Sequence, residues 1–385
     1  MEIHNKIAPS ATVAINTLAQ QKKANGEEVF NFSAGDPNLP MHPDIAEGIS
    51  KALQTQDCSY PPLMGLPALR TAVANWQNSS YGCQYNENQI LVTCGGKFAL
   101  YAALDLLLSP GDEVLIPAPY WTSYPTIVSH FNGTPVTVPS EESSGWKVTA
   151  DALKKMSTSK TKVLILNQPN NPTGAIYTRD ELISILELAE AKDWTVISDE
   201  VYSEIVYDQE KFVSCGSLPK WQNRVVIIQS CSKNFGMTGL RVGFALGPQQ
   251  LIAAMASLQG QTTTGTASLS QWAALSAIKH ASDVSSMMRN AMQEKRDCFM
   301  DTLNRLFSCE LPKPSSALYA FIPLTVFTKE KISSLEFCEK ILKEGNIAAV
   351  PGSAFGMEGY VRFAFTESLD HIERGLNALK RLCTQ

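Results

Sequence analysis

At 385 residues, with 44% hydrophobic and 18% charged side chains, the chain has enough apolar material for a large core and too little charge density for a disordered one. It exceeds the roughly 250 to 300 residues at which single cores stop growing, so more than one lobe is expected. A formal net charge of -5, with no long run of Lys and Arg, argues against a nucleic-acid or anionic-membrane surface. The nine cysteines are scattered, with no CxxC pair, and read as reduced thiols in a cytoplasm. The opening MEIHNKIAPS has neither the basic nor the apolar region of a signal peptide, and no apolar run approaches a membrane span. His4, His42, His130, His280 and His371 lie far apart and outside any HExxH or His-Cys cluster, so no metal is expected.

In chain order, a helix is expected between Ile7 and Asn25, then an extended Val29 to Phe32 running into the turn Gly35-Asp36-Pro37. A helix from Pro43 to Leu53 places Ile45, Ile49 and Leu53 on one face, and a second carries Leu66, Leu69, Val73 and Trp76 at helical spacing. From Gln89 a pattern recurs of short apolar strand, polar or Gly-rich turn, and helix. Strands are expected at Ile90 to Thr93, Glu113 to Ile116, Val163 to Leu166, Trp194 to Ile197 and Val225 to Ile228. Thr178 and Glu181 form a capping box for the helix bearing Leu182, Ile185, Leu186 and Ala189. The alternation implies an α/β fold with a mostly parallel central sheet flanked by helices. After Gly260 come a threonine-rich loop, a helix through Trp272, and a long helix from Val284 to Leu306. Strands near Ala320 to Leu324, Ala348 to Pro351 and Tyr360 to Phe365 precede a last helix with Ile372, Leu376, Leu379 and Leu382. The expected division is a large lobe over 41–283 and a smaller α+β lobe from 1–40 and 284–385.

Ligands in open α/β sheets bind beyond the carboxyl ends of the strands, and there the unusual residues fall. Cys94-Gly95-Gly96-Lys97 opens a helix and offers backbone N–H groups to a phosphate. Trp121 follows the second strand and offers a stacking face. Asp199 follows a buried strand; it suits a helix N-cap or, in a crevice, a protonated ring nitrogen. Lys233 follows Val225–Ile228 and is either a solvated loop lysine or an amine desolvated into a nucleophile. Ser230, Ser232 and Arg241 can add hydroxyl and guanidinium contacts to the same anion. Amine, ring-nitrogen carboxylate, phosphate cradle and stacking aromatic together describe a pyridoxal phosphate site.

These residues also carry a resemblance. Asn167-Gln168-Pro169-Asn170-Asn171-Pro172-Thr173-Gly174, Ser198-Asp199-Glu200-Val201-Tyr202, Ser230-Cys231-Ser232-Lys233 and Gly239-Leu240-Arg241-Val242-Gly243 resemble the successive motifs of class I aminotransferases, pyridoxal-phosphate enzymes of fold type I. The resemblance implies that Lys233 binds the cofactor aldehyde and shuttles the substrate α-proton. It implies that Asp199 holds the ring nitrogen protonated and that Tyr202 and Asn171 hydrogen-bond the ring oxygen. Trp121 would stack on the ring, and Gly95, Gly96, Lys97, Ser230, Ser232 and Arg241 would surround the phosphate. Arg362 would bind the substrate α-carboxylate with Gly35 and Asn171. The implied assembly is a homodimer in which Tyr60 reaches the neighbouring phosphate.

Within that class the run Pro9-Ser10-Ala11-Thr12, together with Lys97, resembles the bacterial aspartate aminotransferase subgroup, in which Thr12 and Lys97 would receive a distal carboxylate. Ala8 and Ser316-Ala317-Leu318 depart from it, at positions expected on the substrate side. Aspartate or glutamate is therefore the favoured donor, with aromatic or alanine-type donors, or a lyase of the same fold, as alternatives. A ligand-sensing regulator would need an attached DNA-binding module, and no basic helix-turn-helix segment precedes Pro9. A nucleotide-binding reading lacks GxGxxG after the first strand.

Overall fold

The computed structural model describes residues 11–55 and 59–383, so the expectations placed on Ala8, Pro9, Ser10 and Cys58 lie outside the described residues. The twelve strands among the described residues are β1 Phe30–Asn31, β2 Ile90–Thr93, β3 Glu113–Pro117, β4 Thr134–Val138, β5 Thr161–Asn167, β6 Thr195–Asp199, β7 Val225–Ser230, β8 Gly243–Leu246, β9 Tyr319–Pro323, β10 Ile347–Ala348, β11 Val350–Pro351 and β12 Tyr360–Ala364. Seven of them form one sheet in the order β2-β8-β7-β6-β5-β3-β4. The pairs β3–β4, β3–β5, β5–β6 and β6–β7 are parallel, whereas β8 runs antiparallel to both β7 and β2. β4 was not expected from the sequence: its Thr134 and Thr137 are exposed and its Pro135 removes a ladder donor, as an edge strand tolerates.

The central strands are buried on both faces, because helices cover both. Ile90, Val92, Leu164, Leu166, Val225 and Ile227 pack with the helices Pro67–Tyr81, Arg179–Ala191 and Ser268–Lys279 on one side. Leu91, Ile165, Ile197, Val226 and Ile228 pack with Gly96–Leu107 and Gln249–Thr262 on the other. The Thr178–Glu181 capping box forms at the start of Arg179–Ala191. One helical face is corrected. In Pro43–Gln54, Ile45 and Ala52 are buried but Leu53 is 54% exposed, because the helix turns its buried stripe toward Ser268–Lys279.

A separate core joins residues near 30 to the C-terminal part of the chain. Phe30 and Phe32 pack with Phe299, Met300, Phe363, Phe365 and Leu376, contributed by the helices Ala281–Phe307 and Leu369–Cys383, by β12 and by the residue after it. β1 pairs parallel with β10, and β12 lies between β11 and β9. The helix Ser334–Gly345 also packs here and was not expected, although Ser333 and Glu336 form a capping box in front of it.

Strand register sets the site. Asn167 pairs with Asp199, Asp199 with Ile228, and Ser230 with Gly243, so three neighbouring strands end at one level beside the start of β8. The turns that follow β5, β6 and β7 therefore open into the same space. No helix among the described residues is long and apolar enough to cross a membrane, and no group of three or more His, Cys, Asp or Glu among them is placed to hold a metal.

Candidate active site

A cavity of about 280 Å³ opens beyond these strand ends. It is lined by Thr12, Gly35, Gly96, Lys97, Trp121, Asn171, Asp199, Tyr202, Ser230, Ser232, Lys233, Arg241 and Arg362, drawn from segments more than three hundred residues apart. Two expected residues stand outside. Gly95 lies behind Arg241, and Tyr60 is 87% exposed, away from the cavity of its own chain. Ser316 is also not at the cavity: its hydroxyl donates to Gly174 O at 2.7 Å, and it is fully buried. Its expected place on the substrate side is thereby corrected. Tyr124, Asn167, Val201, Thr238 and Tyr319 complete the lining, and none of these was singled out as a site residue from the sequence.

At the cavity floor is Asp199, the last residue of β6. The Tyr124 hydroxyl donates to its Oδ2 at 2.5 Å, and Val201 N–H reaches Oδ1 at 3.4 Å. Burial pushes the carboxyl up to about 6, and those two hydrogen bonds pull against the rise. A buried carboxylate with no cation among the described groups that act on it is the complement of a protonated ring nitrogen. Tyr124 was missed because, three residues past Trp121, it reads as one more apolar helix position.

Lys233 lies in the short helical turn Cys231–Asn234 after β7 and is half-buried. Its ammonium donates to the carbonyl of Gly35, tying the β7 turn to the N-terminal segment. Gly35 is required there: a Cβ would lie 2.0 Å from the Tyr319 hydroxyl oxygen.

Two cations, Arg241 and Lys97, stand at one end of the cavity. Arg241 sits at φ +55 with Nη1 donating to Thr238 O at 2.8 Å, and its Nη2 lies where a Cβ on Gly95 (φ +85) would be, 2.6 Å away. Lys97, beside the N-terminus of Gly96–Leu107, is held below the ordinary lysine value by desolvation and by the like charge of Arg241. Its ammonium stands 4.8 Å from the centroid of the Trp121 ring. Ser230 accepts from Ser232 N–H at 3.1 Å. Like charges held together beside hydroxyls and a helix N-terminus make a site for a multiply charged anion.

At the opposite end is Arg362, on β12 and 1% exposed. Its Nη1 donates to Asn171 Oδ1 at 3.2 Å and its Nη2 to Ser33 O at 2.6 Å, while Nε has no partner among the described residues. Its guanidinium carbon lies 4.4 Å from the Tyr319 ring centroid and 4.9 Å from that of Phe355. Burial lowers its value, and no carboxylate is among the charged groups that face it. A buried guanidinium without a counter-ion is costly unless a ligand supplies one. Asn171, whose N–H donates to Asn167 Oδ1 at 2.8 Å, is thereby placed between Arg362 and the strand ends.

Tyr202, 4% exposed, turns its hydroxyl to that of Tyr319 at 2.8 Å. Burial and the neighbouring Tyr319 push its phenol well up, Arg362 works against the rise, and Asp199 adds to it.

A mixed seven-stranded sheet of this order, with an amine, a buried carboxylate and a buried guanidinium gathered at its strand ends, has the architecture of a fold type I enzyme. The family model for aminotransferase class I and II matches residues 27–379, and the chain belongs to that family. It is a transaminase. It is 36% identical over 384 residues to an aspartate aminotransferase of Geobacillus stearothermophilus, covering 97% of this chain and 96% of that one. To a probable aspartate/prephenate aminotransferase of Aquifex aeolicus it is 33% identical over 378 residues, covering 97% and 96%. The aspartate aminotransferase of Thermus thermophilus, solved with maleate, superposes with a TM-score of 0.94 at 31% identity, covering 99% of this chain and all of that one.

Proposed function

We propose that this chain moves an α-amino group between an acidic L-amino acid, aspartate or glutamate, and a 2-oxo acid by a ping-pong mechanism, using pyridoxal 5'-phosphate. The observation that carries the reading is the charge distribution of one cavity: an uncompensated carboxylate at Asp199, an uncompensated guanidinium at Arg362, and a like-charged Lys97–Arg241 pair. A protonated ring nitrogen, a substrate carboxylate and a phosphate answer the three in turn, so the residues present fit the cofactor.

When bound, pyridoxal phosphate supplies an electrophilic carbonyl carbon and a conjugated ring that accepts the electron pair released at the substrate α-carbon. Everything else falls to the chain's own residues. Asp199 keeps the ring nitrogen protonated, and Trp121 presents a face for stacking. Gly95, Gly96, Lys97, Ser230, Ser232 and Arg241 hold the phosphate, Gly95 by leaving room for the Arg241 guanidinium. Lys233 would hold the cofactor through its amine and would carry the proton at the substrate α-carbon; general acid–base transfer of this kind contributes about 10² to 10⁴-fold. Arg362 grips the α-carboxylate with Gly35 and Asn171 beside it, and Tyr202 and Asn171 donate to the ring oxygen. Preference for an acidic donor rests on Thr12, whose Oγ1 is buried without a partner among the described residues, and on the Lys97 ammonium, which faces no carboxylate among them.

We infer the lobe division 1–40 with 284–385 against 41–283 from the two separate cores. A homodimer with shared sites is supported by Tyr60, exposed beside Pro61 and the threonine-rich turn 263–267. The eight described cysteines are all free thiols, which supports a cytoplasmic setting.

The test is to reconstitute the protein with pyridoxal phosphate, record its visible absorbance, and add single amino acids without an acceptor. Loss of the visible band fastest with aspartate or glutamate, with release of the matching 2-oxo acid and no ammonia, is the expected result. A protein that takes up no cofactor overturns the reading. Ammonia release would instead assign a lyase.

A further inference from the structure

Tyr319 opens β9 directly after Ser316-Ala317-Leu318, and the transamination chemistry proposed above makes no use of it. It is 3% exposed and wedged among three groups that reading does use. Its hydroxyl is 2.8 Å from that of Tyr202, and its ring carries the Arg362 guanidinium on one face at 4.4 Å. Its hydroxyl oxygen also fills the space that a Cβ on Gly35 would need, beside the carbonyl that accepts from Lys233.

The direction of the Tyr202–Tyr319 hydrogen bond follows from counting donors. Each phenol has one O–H and accepts as well. Both phenols line the cavity, but in the reading above the Tyr202 proton goes to the ring oxygen, so it is not free to bridge the two hydroxyls. If Tyr319 donates, its own proton is satisfied and the Tyr202 proton is left for an acceptor in the cavity. A phenol that accepts one hydrogen bond is also polarised into a better donor of the next. The Arg362 cation over the Tyr319 ring withdraws electron density and strengthens the same polarity. A carboxylate arriving at Arg362 offsets that charge.

We propose that Tyr319 is a positioning residue: its hydroxyl donates to Tyr202, directing the Tyr202 proton into the cavity, and its ring couples that bond to whether a carboxylate occupies Arg362. The proposal rests on the cofactor reading above, in which Tyr202 donates to the ring oxygen. The charged groups around the pair are Arg362 on β12, Asp199 on β6 and Lys233 after β7.

The experiment titrates, against pH, the visible absorbance of protein reconstituted with pyridoxal phosphate, for wild type, Tyr319→Phe, Tyr202→Phe and the double variant. A wild-type protein with no visible band would refute the cofactor reading and this proposal with it, whereas the comparisons among variants bear on Tyr319 alone. Tyr319→Phe keeps the ring beneath Arg362 and removes only the hydroxyl. Weakened donation from Tyr202 leaves the ring oxygen's negative charge less stabilised, so the midpoint rises by roughly half to one pH unit. The same substitution on the Tyr202→Phe background moves it no further, since the effect passes through Tyr202. Maleate binding, read from its own spectral change, stays within about twofold in Tyr319→Phe and weakens about tenfold or more in Tyr319→Leu, which removes the ring as well. An unchanged midpoint in Tyr319→Phe, or an equal shift on both backgrounds, overturns the proposal. A merely structural role would lower the melting temperature without the background-dependent midpoint.

Discussion

Glu200 stands next to Asp199 in sequence but points away from the cavity into the protein, and its ionisation is a measurable liability. It is fully buried; Oε1 accepts from Ser198 Oγ at 2.8 Å and from Cys215 N–H at 2.9 Å, and Oε2 accepts from Ser214 Oγ at 2.7 Å. Burial pushes its carboxyl from the ordinary 4.5 up to about 7, the hydrogen bonds opposing the rise and the Asp199 charge adding to it. Because the folded value is raised, the stability this carboxyl contributes is fully present below pH 4.5 and is lost as pH climbs through about 7. At 1.36 kcal/mol per pH unit, that loss is about 3 kcal/mol. Glu200→Gln removes the ionisation at the cost of one weakened contact near Ser214, worth about 1 kcal/mol. The variant is therefore expected to be less stable than wild type near pH 4.5 and more stable, by about 2 kcal/mol, near pH 8. Urea unfolding of both cofactor-free proteins at several pH values between these limits measures the difference, and Asp199 is present in both. Stability curves that run parallel across the range would refute the argument, since no proton uptake could then distinguish the two side chains.

The remaining expectations concern the cavity. Lys233→Ala keeps the fold but loses turnover and the covalently held chromophore; near-wild-type transamination by that variant would remove Lys233 from its role. Arg362→Lys keeps a charge but forfeits the fork that reaches Asn171 and Ser33, so kcat/KM for the amino donor falls about 10²-fold, read from initial rates. Lys97→Met lowers kcat/KM for aspartate about tenfold more than for alanine if that ammonium receives a distal carboxylate, and the ratio of the two rates decides it. Gly35→Ala places a Cβ 2.0 Å from the Tyr319 oxygen, and thermal unfolding is expected to show a loss of about 1 to 3 kcal/mol.

Much of this molecule was written locally. The β-branched runs at Ile90, Val163 and Val225 and the Thr178–Glu181 box specify strands and a helix from neighbours alone, and the structure has them there. The composition of the strand-end turns was legible too, but only taken together, because singly Asp199 suits an N-cap and Lys233 a solvated loop. What local pattern could not carry was register and distance. That Asn167, Asp199 and Ile228 end at one level depends on parallel pairing between segments about thirty residues apart. The edge strand Thr134–Val138 was lost because one solvated side and a proline erase its hydrophobic signal. Ser316 looked like a change at the substrate pocket, yet it turns inward to Gly174, and the residue that reaches the cavity is Tyr319, three positions on. Tyr124 and Tyr319 carry no motif at all. Their hydroxyls matter only because folding sets one against Asp199 and the other between Tyr202 and Arg362. Sequence by itself determined which chemical groups the chain owns and which elements bear them; the tertiary structure alone decided which are buried without a counter-charge, since desolvation depends on everything packed around a group.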